Sequence, residues 1–228
     1  MRFIDLSHTL EHGLVTYKGL PAPLICDFLS REQSRSYYGP GTEFQIGKIE
    51  MVANTGTYLD SPFHRYPDGR DLSELELTSL ANLEGVVVRA TEPNEKAPTG
   101  RRTPNVAVDA RALQNLEVKG KAVLIHTGWD KHWRTEKYFD GTHPYLTRDA
   151  AQFLADAGAG LVGIDSYNID DTADLERPAH SILLSAGIPI VEHMCKLVDL
   201  PHGRFRFFAV PVKVKGMGTF PVRAFAIA

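Results

Sequence analysis

Cysteine is nearly absent from this chain. Cys26 and Cys195 are the only two, they lie far apart, and they form no C-x-x-C pair. A disulfide framework is thereby excluded, and the expected setting is a reducing, cytoplasmic one. An excess of positive charge is also missing. Twenty-five Lys and Arg stand against 28 Asp and Glu, for a net charge of −3. The chain therefore lacks the electrostatic footprint that a nucleic-acid or anionic-membrane partner requires. No apolar run reaches the roughly 18 residues that a membrane span needs. In Met1-Arg2-Phe3-Ile4-Asp5 an acidic residue stands where a secretory signal would have its apolar core, so no signal peptide is expected. Internal repeats and low-complexity tracts are absent, as are a G-x-G-x-x-G after a strand, a Walker loop and a G-x-S-x-G elbow.

What is present is the composition of a globular enzyme-sized domain, with 43% hydrophobic and 23% charged residues over 228 positions. Phe3-Ile4-Asp5-Leu6 reads as a first strand. Residues 7–42 lack a clear period and contain Gly13, Gly19, Pro21, Pro23, Gly39, Pro40 and Gly41, which marks a long irregular segment of the kind used for binding loops or interface arms. Alternation from Glu43 to Met51 predicts a strand with a bulge near Gly47. The leucines between Leu72 and Leu83 predict a short helix or two. Val86-Val87-Val88, Ala122 to Ile125, Leu161 to Asp165 and Ile188 to Glu192 read as buried strands. Residues 91–105, with three prolines, read as a loop. Asp109 is a plausible cap for a helix through Leu116, and Thr147 for one ending at Gly158. A further short helix spans Ser181 to Ala186. Phe205 to Val214 and Val222 to Ile227 predict two last strands around a Gly216-Met217-Gly218 loop. The expectation is one α/β domain over residues 1–228, with a mixed central β-sheet flanked by helices.

Chemistry concentrates in Ala53-Asn54-Thr55-Gly56-Thr57-Tyr58-Leu59-Asp60-Ser61-Pro62-Phe63-His64. Gly56 admits a backbone conformation closed to other residues, and Pro62 stiffens the turn. Asp60 and His64 can then converge on one point. Other carboxylates and imidazoles collect at strand exits and nearby loops: Asp165, His180 and Glu192. Asp60, His64, His180 and Glu192 together make a mixed N/O set that suits Zn²⁺ or Mn²⁺. The competing interpretation is that Asp60 caps a turn, His180 begins a helix and Glu192 pairs with a basic side chain. Trp129, after a strand end at Thr127-Gly128, is a candidate pocket wall. Cys195 reads as an inert buried thiol.

These blocks resemble the cyclase family that includes kynurenine formamidase (arylformamidase) and isatin hydrolase. The resemblance covers most of the chain. It rests on Asp5-Leu6-Ser7-His8, the Asn54 to His64 segment, Thr127-Gly128-Trp129, Gly163-Ile164-Asp165, His180, and Gly187 to Glu192. The family motif H-x-G-T-H-x-D-x-P-x-H is matched by Gly56, Thr57, Asp60, Pro62 and His64. Asn54 and Tyr58 stand where the motif has its first two histidines.

The resemblance implies a swivelling β/β/α fold, a small-molecule substrate and a homo-oligomer, either dimer or tetramer. It implies a metal-dependent hydrolase of a C–N amide, cyclic amide or lactone, with N-formylkynurenine-type substrates from tryptophan catabolism. It also implies metal ligation by Asp60, His64, His180 and Glu192, with His64 doubling as a catalytic base. A carboxamide and a phenol replace two imidazoles poorly at such a cation, so one metal site at most is expected. Tyr58 is then a candidate oxyanion donor, and Asn54 a substrate-binding group. A metal-independent cyclase or lyase, or a silent small-molecule binder, would use the same residues.

Overall fold

The continuous apolar runs in the middle of the sequence form the inner strands of one large sheet. A computed structural model describes residues 1–90 and 107–228; the loop expected over 91–105, with its three prolines, lies outside the described residues. In chain order the strands are β1 (Phe3–Asp5), β2 (Leu24–Leu29), β3 (Ile46–Glu50), β4 (Tyr58–Asp60), β5 (Leu83–Arg89), β6 (Ala107–Val108), β7 (Ala122–His126), β8 (Tyr145–Leu146), β9 (Leu161–Ile164), β10 (Ile190–Glu192), β11 (Phe205–Phe208), β12 (Thr219–Pro221) and β13 (Phe225–Ile227). The helices are α1 (Arg31–Ser34), α2 (Arg148–Asp156) and α3 (Pro178–Ser185).

Nine strands pair in the order β1-β13-β11-β5-β7-β9-β10-β4-β12. The centre, β5-β7-β9-β10, is parallel, and both flanks are antiparallel. This is the mixed sheet that the sequence predicts.

The inner parallel strands β7, β9 and β10 are apolar up to their C-terminal ends because both faces are covered. On one face Val123, Ile125, Val162, Ile164 and Ile190 pack under α2 and α3, against Ala150, Leu154, Leu183 and Leu184. On the other face Leu124, Leu161 and Val191 meet Leu59, Phe205, Phe207 and Met194. Alternate residues of β7 thus serve two cores, as the two-residue period of a strand requires.

Three expectations need correction. The segment over residues 7–42 is not irregular throughout: β2 pairs antiparallel with β3, and α1 is closed by a capping box between Ser30 and Gln33. Its period was illegible because almost every residue of the β2–β3 arm is exposed or half-buried, so neither face selects apolar side chains. The leucines from Leu72 onward do not form the expected helices. Leu72, Leu75 and Leu80 are buried from an irregular path, with one 3₁₀ turn at Leu77–Ser79, before β5 begins at Leu83. Asp109 does cap a turn, accepting from the Arg111 amide, but that turn is a 3₁₀ helix at Ala110–Ala112 and ends there.

At the C-terminal end the strand expected over Phe205 to Val214 stops at Phe208, and an unexpected strand, β12, follows the Gly216-Met217-Gly218 loop. It pairs with the far side of β4, and that pairing creates half of the site.

Candidate active site

β4 lies between β10 and β12, and its register determines which side chains meet. Tyr58 is paired with Glu192 and Pro221, and Asp60 with Ile190 and Thr219. Tyr58 and Asp60 are two apart on one strand and so share a face, and directly paired residues of neighbouring strands share it too. Tyr58, Glu192, Asp60 and Thr219 are therefore gathered by pairing alone. Pro62 then opens a single 3₁₀ turn, Pro62–His64, whose closing bond from the His64 amide to the Ser61 carbonyl (2.9 Å) folds His64 back over Asp60.

His64 is the exposed member of the group, with its Nδ1 3.7 Å from Asp60 Oδ1. The Thr219 hydroxyl stands between them. It donates its proton to Asp60 Oδ1, and its oxygen lies 2.8 Å from His64 Nδ1. Because that one proton goes to the carboxylate, Nδ1 of His64 must be the donor to Thr219, which leaves the lone pair on Nε2.

His180 comes from the first turn of α3. Asp170 accepts from the Ala179 amide (2.6 Å), the His180 amide (3.1 Å) and His180 Nδ1 (2.6 Å). One carboxylate thus caps the helix and holds Nδ1–H, which directs Nε2 toward Asp60 Oδ2 (3.7 Å) and Glu192 Oε1 (3.8 Å). Glu192 is held at both oxygens: Oε2 accepts from the Tyr58 hydroxyl (2.6 Å) and Oε1 from the Ile169 amide (2.5 Å).

Asp60 Oδ2 is buried and, among the described residues, has no hydrogen-bond partner. Ligand atoms of Asp60, His64 and His180 all lie within 4.8 Å of one another. A buried carboxylate oxygen without a donor is costly unless a cation sits before it. The donor set, one or two carboxylates with two imidazoles, suits a divalent metal. Electrostatics agree. Burial opposes a charge on His180, but Glu192, Asp170 and Asp60 outweigh it and raise the imidazole to about 10. Burial, reinforced by the Asp60 charge, raises Glu192 to about 7. Both shifts record carboxylates crowded around one buried imidazole. Burial and the neighbouring Glu192 push the Tyr58 phenol well above its usual range, so it remains a proton donor.

Tyr58, His64, His180 and Glu192 line a cavity of about 270 Å³ that also exposes Asn54, Tyr17, Asn168, Arg65 and Arg177, and Asp60 lies buried beside His64 and His180. The structure therefore brings together Asp60, His64, His180, Glu192, Tyr58 and Asn54. It does not bring Trp129 there. The Trp129 indole donates to the Tyr138 carbonyl (3.3 Å) and packs with Tyr138 and Tyr167. The oxyanion role expected of Tyr58 also needs correction, since its proton is committed to Glu192. Asp165 serves the loop after β7, accepting from Thr127 and Gly128 amides. Asp170 and Thr219 were missed. Their only local signals were a carboxylate ten residues before a helical histidine and a threonine beside a glycine. Removing the Asp170 charge (Asp170→Asn) is expected to weaken metal affinity by about 10–100-fold, since orienting partners of metal-binding histidines carry effects of that size; metal titration in competition with a chelator measures it.

Behind Glu192 lie two neutral imidazoles. His8 stacks on Trp133 (centroids 3.9 Å apart), and His193 receives or gives a 3.0 Å bond at Tyr138. Burial lowers His8 to about 4 and His193 to about 3. Unfolded, each would titrate near ~6.5. Between those values the unfolded chain binds more protons, so stability falls as pH drops below about 6.5, and the penalty is complete only below the folded values. Urea unfolding between pH 7.5 and 4.5 should show uptake of about two protons from this pair, and His8→Phe should remove about one; a slope unchanged by that substitution would refute the assignment.

A family model described as "Putative cyclase" matches residues 4–171. The kynurenine formamidase of Salinibacter ruber is 30% identical over 224 residues, covering 98% of this chain and 96% of that protein. The kynurenine formamidase of Bacillus mycoides is 28% identical, with 98% and 96% covered. A solved structure described as a potential metal-dependent hydrolase with cyclase activity superposes with a TM-score of 0.77 at 25% identity, over 99% of this chain and 96% of that one. Isatin hydrolase A from Labrenzia aggregata, bound to benzyl benzoate, superposes with a TM-score of 0.81 over 100% and 93% of the two chains; at 20% identity that likeness is one of fold.

Proposed function

The chain belongs to the Cyclase family, as its motif blocks imply, and on that premise we propose that it is a metal-dependent hydrolase that cleaves an amide C–N bond of an arylformamide-type substrate. The observation that carries this reading is the buried, partnerless Asp60 Oδ2 facing His64 and His180. Asp60, His64 and His180 would hold the cation, with Glu192 as a further carboxylate. When bound there, Zn²⁺ or Mn²⁺ supplies Lewis acidity toward a carbonyl and acidifies water.

The protein's own groups do the remaining work. Asp170 fixes the His180 tautomer. Tyr58 pins Glu192 and is a positioning residue. His64 is the exposed ligand, with Nδ1 held by Thr219 and Nε2 left for the cation at the cavity mouth. The Asn54 carboxamide, where the family motif has an imidazole, offers N–H donors to the substrate. With Asn54 and Tyr58 in those places, the reading specifies one cation per chain.

The same reading places the protein in a reducing compartment as a homo-oligomer. Cys26 and Cys195 are unpaired, and the β2–β3 arm with its flank leaves Phe28, Phe44 and Ile49 exposed. Among the described residues no helix is long and apolar enough to cross a membrane.

The test is metal analysis of protein purified without chelator, followed by hydrolysis of aryl formamides. About one equivalent of Zn or Mn is expected, with turnover lost on chelation and restored by the ion. A metal-replete protein inert toward every aryl formamide would overturn the reading. Tyr58→Phe should lower metal affinity by about 10-fold or more, because it frees an orienting partner of a ligand. Saturating metal should then restore most of kcat; a kcat that stayed low would mean that Tyr58 touches the substrate.

A further inference from the structure

Two arginines face the cavity, and the proposed metal centre uses neither. Arg177 and Arg65 both line it. Among the described residues, neither forms an ion pair with a carboxylate. Each is anchored by a single neutral contact: Arg177 Nη1 donates to the Asp171 carbonyl (3.2 Å), and Arg65 Nε to the Ser181 hydroxyl (3.4 Å), with its guanidinium over the Tyr66 ring. Most of their N–H donors therefore remain available.

The placement of Arg177 carries a backbone cost and an unfavourable charge. It occupies the N-cap of α3 with φ 49° and ψ 61°, a left-handed conformation that costs a non-glycine residue on the order of 1–3 kcal/mol. It does not cap the helix, because Asp170 accepts those amides instead. It also puts a cation at the positive end of the helix dipole, where an acidic side chain would be preferred. The result is a half-buried guanidinium three residues before His180, opening onto the same cavity. Tyr17, tilted against Tyr167 at 4.7 Å, forms an aromatic wall beside it. The cavity, at about 270 Å³, has room for one substituted ring.

We propose that Arg177, with Arg65 on the same cavity lining, binds an anionic substituent of the substrate, a carboxylate, and so selects net-negative aryl amides. The inference rests on the hydrolase reading for the bond that breaks, but the anion site itself does not. A planar guanidinium pairs with a carboxylate through two parallel N–H···O bonds, which an ammonium cannot reproduce.

The test is calorimetric titration of metal-loaded protein with 2-formamidobenzoate and with its methyl ester, while release of the free aniline is followed by fluorescence. The wild type should bind the acid at least tenfold more tightly than the ester. Arg177→Met should abolish that preference, Arg177→Lys should keep part of it, and Arg65→Met should reduce it. Equal affinities for acid and ester in the wild type, or no binding of either, would overturn the proposal without any variant. A preference that survives Arg177→Met would overturn it as well, since the cation alone would then be capturing the carboxylate. Tight, Arg177-dependent binding without aniline release would sink the hydrolase reading and leave the anion site standing. Equal kcat/KM for acid and ester would do the reverse.

Discussion

Asp60→Asn should abolish turnover while leaving the fold intact. The carboxamide keeps the shape of the side chain and can still accept the Thr219 proton at one oxygen. What it loses is the charge that faces His64 and His180. A cation stabilising a developing negative charge contributes several kcal/mol, and each 1.36 kcal/mol is a factor of ten in rate, so a loss on the order of 10³-fold in kcat/KM is expected. Bound metal should fall with it. Thermal stability should change little, because the substitution also removes a buried carboxylate whose second oxygen has no partner. The measurements are metal content, steady-state kinetics and a melting curve on one preparation. A variant that keeps its metal and stays within threefold of wild-type kcat/KM would remove Asp60 from the centre.

Gly218→Ala should act through the scaffold and damage stability and activity together. A Cβ at position 218 would lie 2.4 Å from the His64 amide nitrogen and 2.5 Å from its Cα, with the Phe63 carbonyl carbon at 2.9 Å. All three are backbone atoms and cannot rotate away. The Ser61 amide also donates to the Gly218 carbonyl (2.7 Å), so the two segments are tied at the point of the clash. Relief requires β12 to separate from the Pro62–His64 turn, which takes Thr219 away from both Asp60 and His64. Overpacking of this kind costs roughly 1–3 kcal/mol and more where backbone must move. Metal affinity and turnover should fall with the unfolding midpoint. Gly203→Ala is the control, because nothing lies within 4 Å of a Cβ there. If Gly218→Ala melted and turned over like Gly203→Ala, the contact between β12 and His64 would not matter.

The contrast between these two substitutions parallels what was and was not legible in the chain. Asp60 and His64 could be picked out because a glycine and a proline stiffen a short segment around them, and that is local chemistry. Glu192 was visible as a carboxylate ending an apolar strand, and His180 as an imidazole at the start of a short helix. Trp129 was misread because an aromatic after a strand end suits a pocket wall and a packing cluster equally well. Arg177 and Asp170 were passed over because charged residues in a polar loop usually face solvent, and nothing local separates those cases.

By itself the sequence determined the alternation of strands and helices, the family membership carried by spaced motif blocks, and the identity of the residues able to bind a cation. These depend on periodicity, backbone restriction and side-chain type, all properties of neighbouring residues. Only the tertiary structure decided that β4 lies between β10 and β12. That register pairs Tyr58 with Glu192 and Asp60 with Thr219, residues more than 130 positions apart. Strand register is a property of the whole buried face, and no local pattern encodes it. The expected oxyanion donor became a clamp on Glu192 for that reason.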